Sequence, residues 1–159
     1  MQINISIQKR GDWEQITYAG PINEDTEVHL APLVGSLGPK VVVNFKNVSF
    51  VNSCGVRAWI NFLREAEKNR NLVFEECTPE IVSQINMIPS FKGRAKIHSV
   101  YGSYSCPSCQ HSTWKLFERG KNLPASSSDA VPHPPCDRCQ TPMEMEEFEE
   151  EFFAWVDAA

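Results

Sequence analysis

Residues 41–59 of the chain read Val-Val-Val-Asn-Phe-Lys-Asn-Val-Ser-Phe-Val-Asn-Ser-Cys-Gly-Val-Arg-Ala-Trp, and they say most about its architecture. They begin with a continuous apolar run of the kind found in strands that are covered on both faces. Either Asn52 or Ser53 then occupies the position of a helix N-cap. From there apolar residues recur at helical spacing, namely Val56, Trp59, Ile60, Leu63 and Ala66. The stretch predicts a buried strand that leads into an amphipathic helix.

Strands and helices alternate through the first hundred residues. A helix is expected from Asn23, kinked or restarted at Pro32, and another from Thr78 as cap with Pro79 in its first turn. Alternation of this kind predicts an α/β domain, with helices packed on a mixed sheet. The predicted strands cover residues 3–7, 13–19 (ended by Gly20-Pro21), 41–45, 72–74 and 96–101.

Two cysteine pairs follow the last predicted strand, Cys106-Pro-Ser-Cys109 and Cys136-Asp-Arg-Cys139. Each pair lets two thiolates from one tight turn converge on a metal ion, and two such turns complete a four-sulfur zinc site. The sequence predicts a zinc ribbon over residues 102–159 with one structural zinc ion. Such a closed site leaves no open coordination position for catalysis.

Two other functions of these cysteines stay open. A thiol-redox protein would use the Cys-x-x-Cys pairs free of metal, with lowered thiol pKa values. A nucleic-acid-associated regulator would use basic side chains near the cysteine pairs, such as those of Lys115 and Arg119. The charge balance argues against the second function, because residues 144–159 hold seven acids and no base, and the rest of the chain carries only about +2.

The acidic C-terminal segment also contains large aromatic residues. Phe148, Phe152 and Trp155 fall at helical spacing between glutamates. One interpretation is a terminal helix that docks its aromatic face on the ribbon. The other is an acidic-aromatic surface for a partner protein, since so many aromatics exceed what a tail normally exposes.

The stretch from Val41 to Trp59 resembles the characteristic motif of STAS domains, the anti-sigma-factor-antagonist family. That motif is a buried strand, an apolar pair, Asp-Ser-Ser/Thr-Gly and an amphipathic helix. The order of the flanking elements agrees, and the resemblance covers residues 1–101. It implies a small α/β regulator that binds a partner protein, such as an anti-sigma-type kinase or another signalling protein.

The resemblance also implies a phosphorylation site at Ser53. The partner surface would consist of Asn52, Ser53, Cys54, Gly55 and Arg57. The sequence departs from the family in that Asn52 and Asn23 stand where the family has aspartates, and Cys54 replaces the second hydroxyl. Partner binding can therefore persist without the kinase switch, with Ser53 serving only to cap the helix.

No nucleophile, base and orienting group occur at an interpretable spacing, so the sequence predicts a non-catalytic protein. The N-terminus lacks the apolar core of a signal peptide, and no run approaches the length of a membrane span. We therefore expect a bacterial cytoplasmic protein that has no membrane partner.

Overall fold

A computed structural model describes residues 2–158. The strands are β1 (Asn4–Arg10), β2 (Trp13–Ile22), β3 (Lys40–Asn44), β4 (Val48–Val51), β5 (Asn71–Glu75), β6 (Lys96–Ile97), β7 (Ser99–Ser105), β8 (Ser112–Glu118) and β9 (Glu144–Met145). The helices are α1 (Thr26–Leu30), α2 (Ser53–Ala66), α3 (Pro79–Met87), α4 (Glu149–Phe152) and α5 (Ala154–Asp157). Short 3-10 helices cover Ala31–Ser36 and Pro89–Phe91.

The first sheet is mixed, as predicted, and has the strand order β1-β2-β3-β5-β6. β1 and β2 form an antiparallel hairpin, and the other neighbours along this order are parallel. β4 pairs with the far end of β2, beyond a register shift between Gly20 and Ile22. The prediction that β2 ends at Gly20-Pro21 is wrong, because a bulge carries the strand past them. Gly20 has φ +108, and a Cβ there would lie 2.6 Å from the Gln2 carbonyl oxygen.

The buried residues of α2 pack on one face of this sheet. Trp59 is almost fully buried, with Phe45 of the β3–β4 loop and Phe74 of β5 against its ring. Its indole Nε1 donates to the carbonyl of Phe91 at 2.8 Å. The strand-to-helix prediction for residues 41–59 is confirmed, with the short strand β4 added between the two.

The helix predicted from Asn23, with a kink or restart at Pro32, begins later than expected. α1 begins at Thr26, and from Ala31 the chain continues as the 3-10 helix that contains Pro32. The restart at Pro32 is confirmed, since proline cannot supply the amide that an α-helix needs there. Asn23 accepts from the amide of Asp25 at 2.9 Å and so forms a turn before the helix.

The second sheet is antiparallel and has the order β8-β7-β9. It joins the first sheet through a parallel bridge between Cys77 and Val100. The single strand predicted over residues 96–101 is two strands, β6 and β7. Since β7 continues to Ser105, the predicted domain boundary between residues 101 and 102 lies inside a strand that both parts use. The division into two folding units remains a prediction.

The acidic-aromatic segment docks, but at a different place from the one predicted. Phe152, Phe153 and Trp155 are buried where two short helices meet, and Asn86 of α3 hydrogen-bonds the backbone of Glu151, Phe152 and Trp155. Phe153 also meets Phe117 of β8, with ring centroids 5.2 Å apart. The segment therefore closes on both α3 and β8, and not on the ribbon alone. No helix within residues 2–158 combines the length and apolarity needed to cross a bilayer.

Candidate functional site

The loop at the start of α2 is held against the end of β2. The Asn52 side chain is the N-cap and accepts from the amide of Gly55 at 2.9 Å, while the Asn52 amide donates to the Ile22 carbonyl at 3.0 Å. A Cβ on Gly55 would lie only 2.0 Å from that same carbonyl oxygen, so no larger residue fits. Because Asn52 caps the helix, the interpretation that Ser53 serves as the cap is wrong.

The loop presents a polar surface to solvent, which we call the Ser53 surface. Ser53, Cys54 and Arg57 are exposed, Asn52 is half-buried, and Gly55 is buried. Within residues 2–158 the hydroxyl of Ser53 has no hydrogen-bond partner. The structure brings the five predicted residues into one short segment, and four of them have accessible atoms.

Carboxylates lie beside Ser53 even though Asn23 and Asn52 are amides. The side-chain amide of Asn52 donates to Glu24 Oε2 at 3.1 Å. The backbone amide of Glu24 and this bond from Asn52 hold the pKa of the Glu24 carboxyl below its usual value. A shallow cavity of about 260 Å³ extends from this point and is lined by Glu24, Glu27, Ser53, Cys54, Arg57, Ala58 and Asn61. The acids following Asn23 in the sequence were the signal for this feature.

The four cysteines of the two pairs form a single cluster. Their sulfur atoms all lie within 4.8 Å of one another. Two close contacts join the two pairs, with Cys106 Sγ 3.4 Å from Cys139 Sγ and Cys109 Sγ 3.6 Å from Cys136 Sγ. A tetrahedral ion with bonds of about 2.3 Å to sulfur would set these separations near 3.8 Å. The cluster therefore fits a metal ion.

The two cysteine turns have the same backbone conformation. The amide of Gln110 donates to the Cys106 carbonyl at 3.0 Å, and that of Gln140 donates to the Cys136 carbonyl at 2.9 Å. Gln110 and Gln140 both have left-handed backbones, with φ of +67 and +68. This geometry folds each chain back so that both thiols of a pair face the same point.

Hydrogen bonds around the cluster shift the thiol pKa values in different directions. The hydrogen bond between Cys139 Sγ and the Thr141 hydroxyl, followed by that with the Thr141 amide, lowers the pKa of Cys139 to about 6, and the amide of Arg138 lowers the pKa of Cys136. The amide of His111 also lowers the pKa of Cys109, but burial and hydrogen bonds to the other three thiols raise it to about 12. Cys136 and Cys139 are thus predisposed to the thiolate form, which is the form that binds a metal ion.

The remaining chemical candidates have structural roles in the described chain. Lys115 Nζ lies 4.0 Å from Asp137 Oδ2, and the guanidinium of Arg119 donates twice to the carbonyl of Ile97. Cys77 is fully buried, and this burial raises the pKa of its thiol. These residues form neither a continuous basic face nor a reactive thiol.

The fold is similar to solved structures of anti-sigma factor antagonists. One from Mycobacterium paratuberculosis matches with a TM-score of 0.50 and 15% identity, over 60% of this chain and 86% of that chain. The anti-sigma factor antagonist SpoIIAA in its unphosphorylated form matches with a TM-score of 0.41 and 17% identity, over 59% of this chain and 86% of that chain. No family model matches the sequence, and no curated protein matches it. On the first of these likenesses, the chain has the STAS fold of anti-sigma factor antagonists, together with a C-terminal cluster of four cysteines able to hold a metal ion.

Proposed function

We propose that this protein is a non-catalytic bacterial regulator that binds a partner protein through the Ser53 surface. The partner would be an anti-sigma-type kinase or another signalling protein, and the compartment would be the cytoplasm. The observation that carries the proposal is the exposed Ser53 hydroxyl, which has no partner within residues 2–158, at the first position of a capped 14-residue helix. Asn52 and Gly55 hold the loop that presents this hydroxyl, so the surface is preorganised for a partner.

Phosphorylation of Ser53 would change this surface strongly. A phosphate at a helix N-terminus is stabilised by free backbone amides and by the helix dipole. Arg57, four residues further along α2, lies on the same side of the helix and can pair with it. The added charge would also face Glu24 and Glu27 across the cavity. We propose that phosphorylation at Ser53 would therefore release a partner that tolerates the neutral hydroxyl.

We further propose that Cys106, Cys109, Cys136 and Cys139 hold one structural zinc ion. Four thiolates complete a tetrahedral shell, so the ion would stabilise the fold and would have no position for a substrate. A redox function would use the two sulfurs of one Cys-x-x-Cys pair by themselves, whereas here the sulfurs of both pairs gather in one cluster, with contacts of 3.4 and 3.6 Å between the pairs. A nucleic-acid function would need basic side chains that are free to contact phosphates. Here the Lys115 ammonium lies 4.0 Å from Asp137 Oδ2, and the Arg119 guanidinium donates to the Ile97 carbonyl.

The test is a native mass spectrum of the protein isolated from its own cells, followed by variants. We expect one zinc ion, a retained partner, and a phosphate on Ser53 in part of the population. Ser53→Asp should then weaken partner retention, while Ser53→Ala should preserve it. Ser6→Asp, at an exposed serine of β1, is the matched control and should behave like wild type.

Two results would contradict the proposal. If Ser53→Asp and Ser6→Asp retain the partner equally well, the Ser53 surface is not the contact. If the protein carries no metal and its four cysteines are oxidised in pairs, the redox function takes precedence.

A further inference from the structure

A groove separates α3 from the chain that enters α4, and none of its lining residues belongs to the Ser53 surface. Its volume is about 340 Å³. Two large apolar side chains stand exposed beside it, Met87 at 64% and Phe148 at 79%. The groove is lined by Pro79, Ser83, Asn86, Met87, Glu147, Phe148, Glu151 and Phe152. We call it the acidic groove.

Phe148 is exposed although the chain around it is well held. Its carbonyl accepts from the amide of Phe152 at 2.8 Å, and Phe152 itself is buried. The neighbouring Glu147 carboxylate accepts from the amide of Ser103 at 2.9 Å. The residue before Phe148 is thus tied to β7, and Phe148 itself is tied to the buried Phe152. The aromatic ring is consequently presented to solvent at a fixed place, where covering it would be favourable.

The charges beside the groove have one sign. Residues 144–151 contain six glutamates, and neither this segment nor α3 contains Lys or Arg. Within residues 2–158 none of these six carboxylates lies within 4 Å of a basic nitrogen. The negative charge is therefore not neutralised inside the molecule. It would repel nucleic acid and anionic lipid, and it would attract cationic protein segments.

We propose that the acidic groove binds a basic segment of a partner protein that carries large apolar side chains between lysines or arginines. The apolar side chains would cover Phe148 and Met87, and the flanking cations would face Glu147 and Glu151. This contact uses none of the five residues of the Ser53 surface. The C-terminal segment then serves both as a docked part of the core and as a contact for a second protein.

The test uses the full-length chain and a short fluorescein-labelled peptide in which lysine pairs alternate with leucine or phenylalanine. Binding is followed by fluorescence anisotropy. We expect Phe148→Ser to weaken binding roughly tenfold, because it removes the largest apolar contact. Val28→Ser is the matched control, since Val28 is 76% exposed but lies outside the groove, and it should bind like wild type.

Charge is tested separately with Glu151→Gln and with a peptide whose apolar residues are replaced by serine. Glu151→Gln should weaken binding at low salt, and the difference should disappear at high salt. Equal affinity for the serine peptide would overturn the proposal, because the attraction would then be charge alone. Equal losses in Phe148→Ser and Val28→Ser would overturn it as well. If Phe148→Ser turns a dimer into a monomer in sedimentation without peptide, the groove is an interface between two copies instead.

Should Phe148→Ser fail to fold, Met87→Ser provides the same test from the opposite wall of the groove. Neither variant alters the Ser53 surface. A failure here therefore leaves the test of the proposed function unaffected.

Discussion

The side-chain carbonyl of Asn86 accepts a hydrogen bond from the backbone amide of Trp155 at 3.0 Å. Its side-chain amide donates at the same time to the carbonyls of Glu151 and Phe152, at 3.1 and 3.0 Å. One residue of α3 thus satisfies three backbone groups of the C-terminal segment. These groups lie at the ends of two very short helices that cannot satisfy them internally.

Replacing Asn86 should therefore loosen the C-terminal segment. We expect Asn86→Ala to lower the free energy of unfolding by about 2–3 kcal/mol, since several hydrogen bonds disappear at a part-buried place. Hydrogen exchange should accelerate at residues 151–155 more than elsewhere. Ser83→Ala, on the exposed side of the same helix, is the control and should change neither quantity. Uniform acceleration over the whole chain would contradict a local role for Asn86.

Gly55 should not tolerate a methyl group. In Gly55→Ala the new Cβ would overlap the Ile22 carbonyl, so the start of α2 would have to move away from β2. We expect a loss of about 3 kcal/mol or more in urea unfolding, similar to other overpacked sites. Gly35→Ala is the matched control, because a Cβ there meets nothing within 4 Å and should be neutral or slightly stabilising.

The two buried tryptophans should respond differently to the change to phenylalanine. Trp59 donates its indole hydrogen to Phe91, whereas Nε1 of Trp155 is buried and has no partner within residues 2–158. Trp59→Phe leaves the Phe91 carbonyl without its donor, while Trp155→Phe removes a donor that had no acceptor. We expect Trp59→Phe to cost about 1–3 kcal/mol more than Trp155→Phe in thermal unfolding. Equal losses of stability in the two variants would show that the lost ring volume, and not the hydrogen bond of Trp59, determines the cost.

The carboxyl of Glu76 should make stability depend on pH. Burial would raise its pKa, but hydrogen bonds from Tyr101 and Asn44 outweigh burial and lower it. Such a group stabilises the fold above its unfolded pKa of 4.5, and the contribution is lost as the pH falls through the folded value. Tyr101→Phe removes the 2.6 Å bond to this carboxylate. We expect it to cost about 1–2 kcal/mol at pH 7 and progressively less below pH 4.5.

Tyr104→Phe provides the matched control for that pH profile. The Tyr104 hydroxyl donates to the uncharged carbonyl of Pro132 at 2.9 Å. Its cost in unfolding experiments should therefore stay the same across the acid range. A parallel decline for both variants would mean that Glu76 is not responsible.

Metal removal should destabilise the whole molecule. Cys106 and Cys136 belong to the same core cluster as the residues of the first sheet. We expect Cys139→Ser, or wild type with excess chelator, to lower the melting temperature by roughly 10 °C or more, as a loss of several kcal/mol would. Cys54→Ser, at an exposed cysteine outside the cluster, should keep one bound metal and an unchanged melting temperature. Two separate unfolding transitions in the chelated protein would contradict this coupling.

The sequence predicts most of the elements because their causes are local. Apolar periodicity marks α2, and cap chemistry marks the start of α3 at Thr78, whose side chain accepts from the amide of Ile81. Fixed spacing of the cysteines marks the cluster. The four-residue strand β4 is too short to give a period, and the register shift between Gly20 and Ile22 depends on the pairing of β2 with β4, which lies far along the chain.

The place where the C-terminal segment docks could not be predicted in the same way. It depends on Asn86, a polar residue whose three hydrogen bonds go to residues 65–69 positions further along the chain. Helical spacing placed Phe148 on the same face as Phe152 and Trp155. In the structure α4 ends at Phe152, Phe153 is buried, and Phe148, which precedes the helix, is exposed to solvent. The carboxylate beside Ser53 had a signal in the sequence, since Glu24 follows Asn23, but its hydrogen bond with Asn52 is visible only in the fold.

Strand β7, which the bridge between Cys77 and Val100 joins to the first sheet, also bears on the solubility of the protein. β7 is the central strand of its sheet, with β8 along one side and β9 along the other. A chain cut after residue 101 would keep the first part of β7 but lose β8, leaving unpaired backbone amides and carbonyls beside apolar side chains. Such a bare edge is a template for strand addition by another molecule, so we expect this fragment to aggregate. We therefore expect the segment that holds the cysteines to keep β7 covered against self-association.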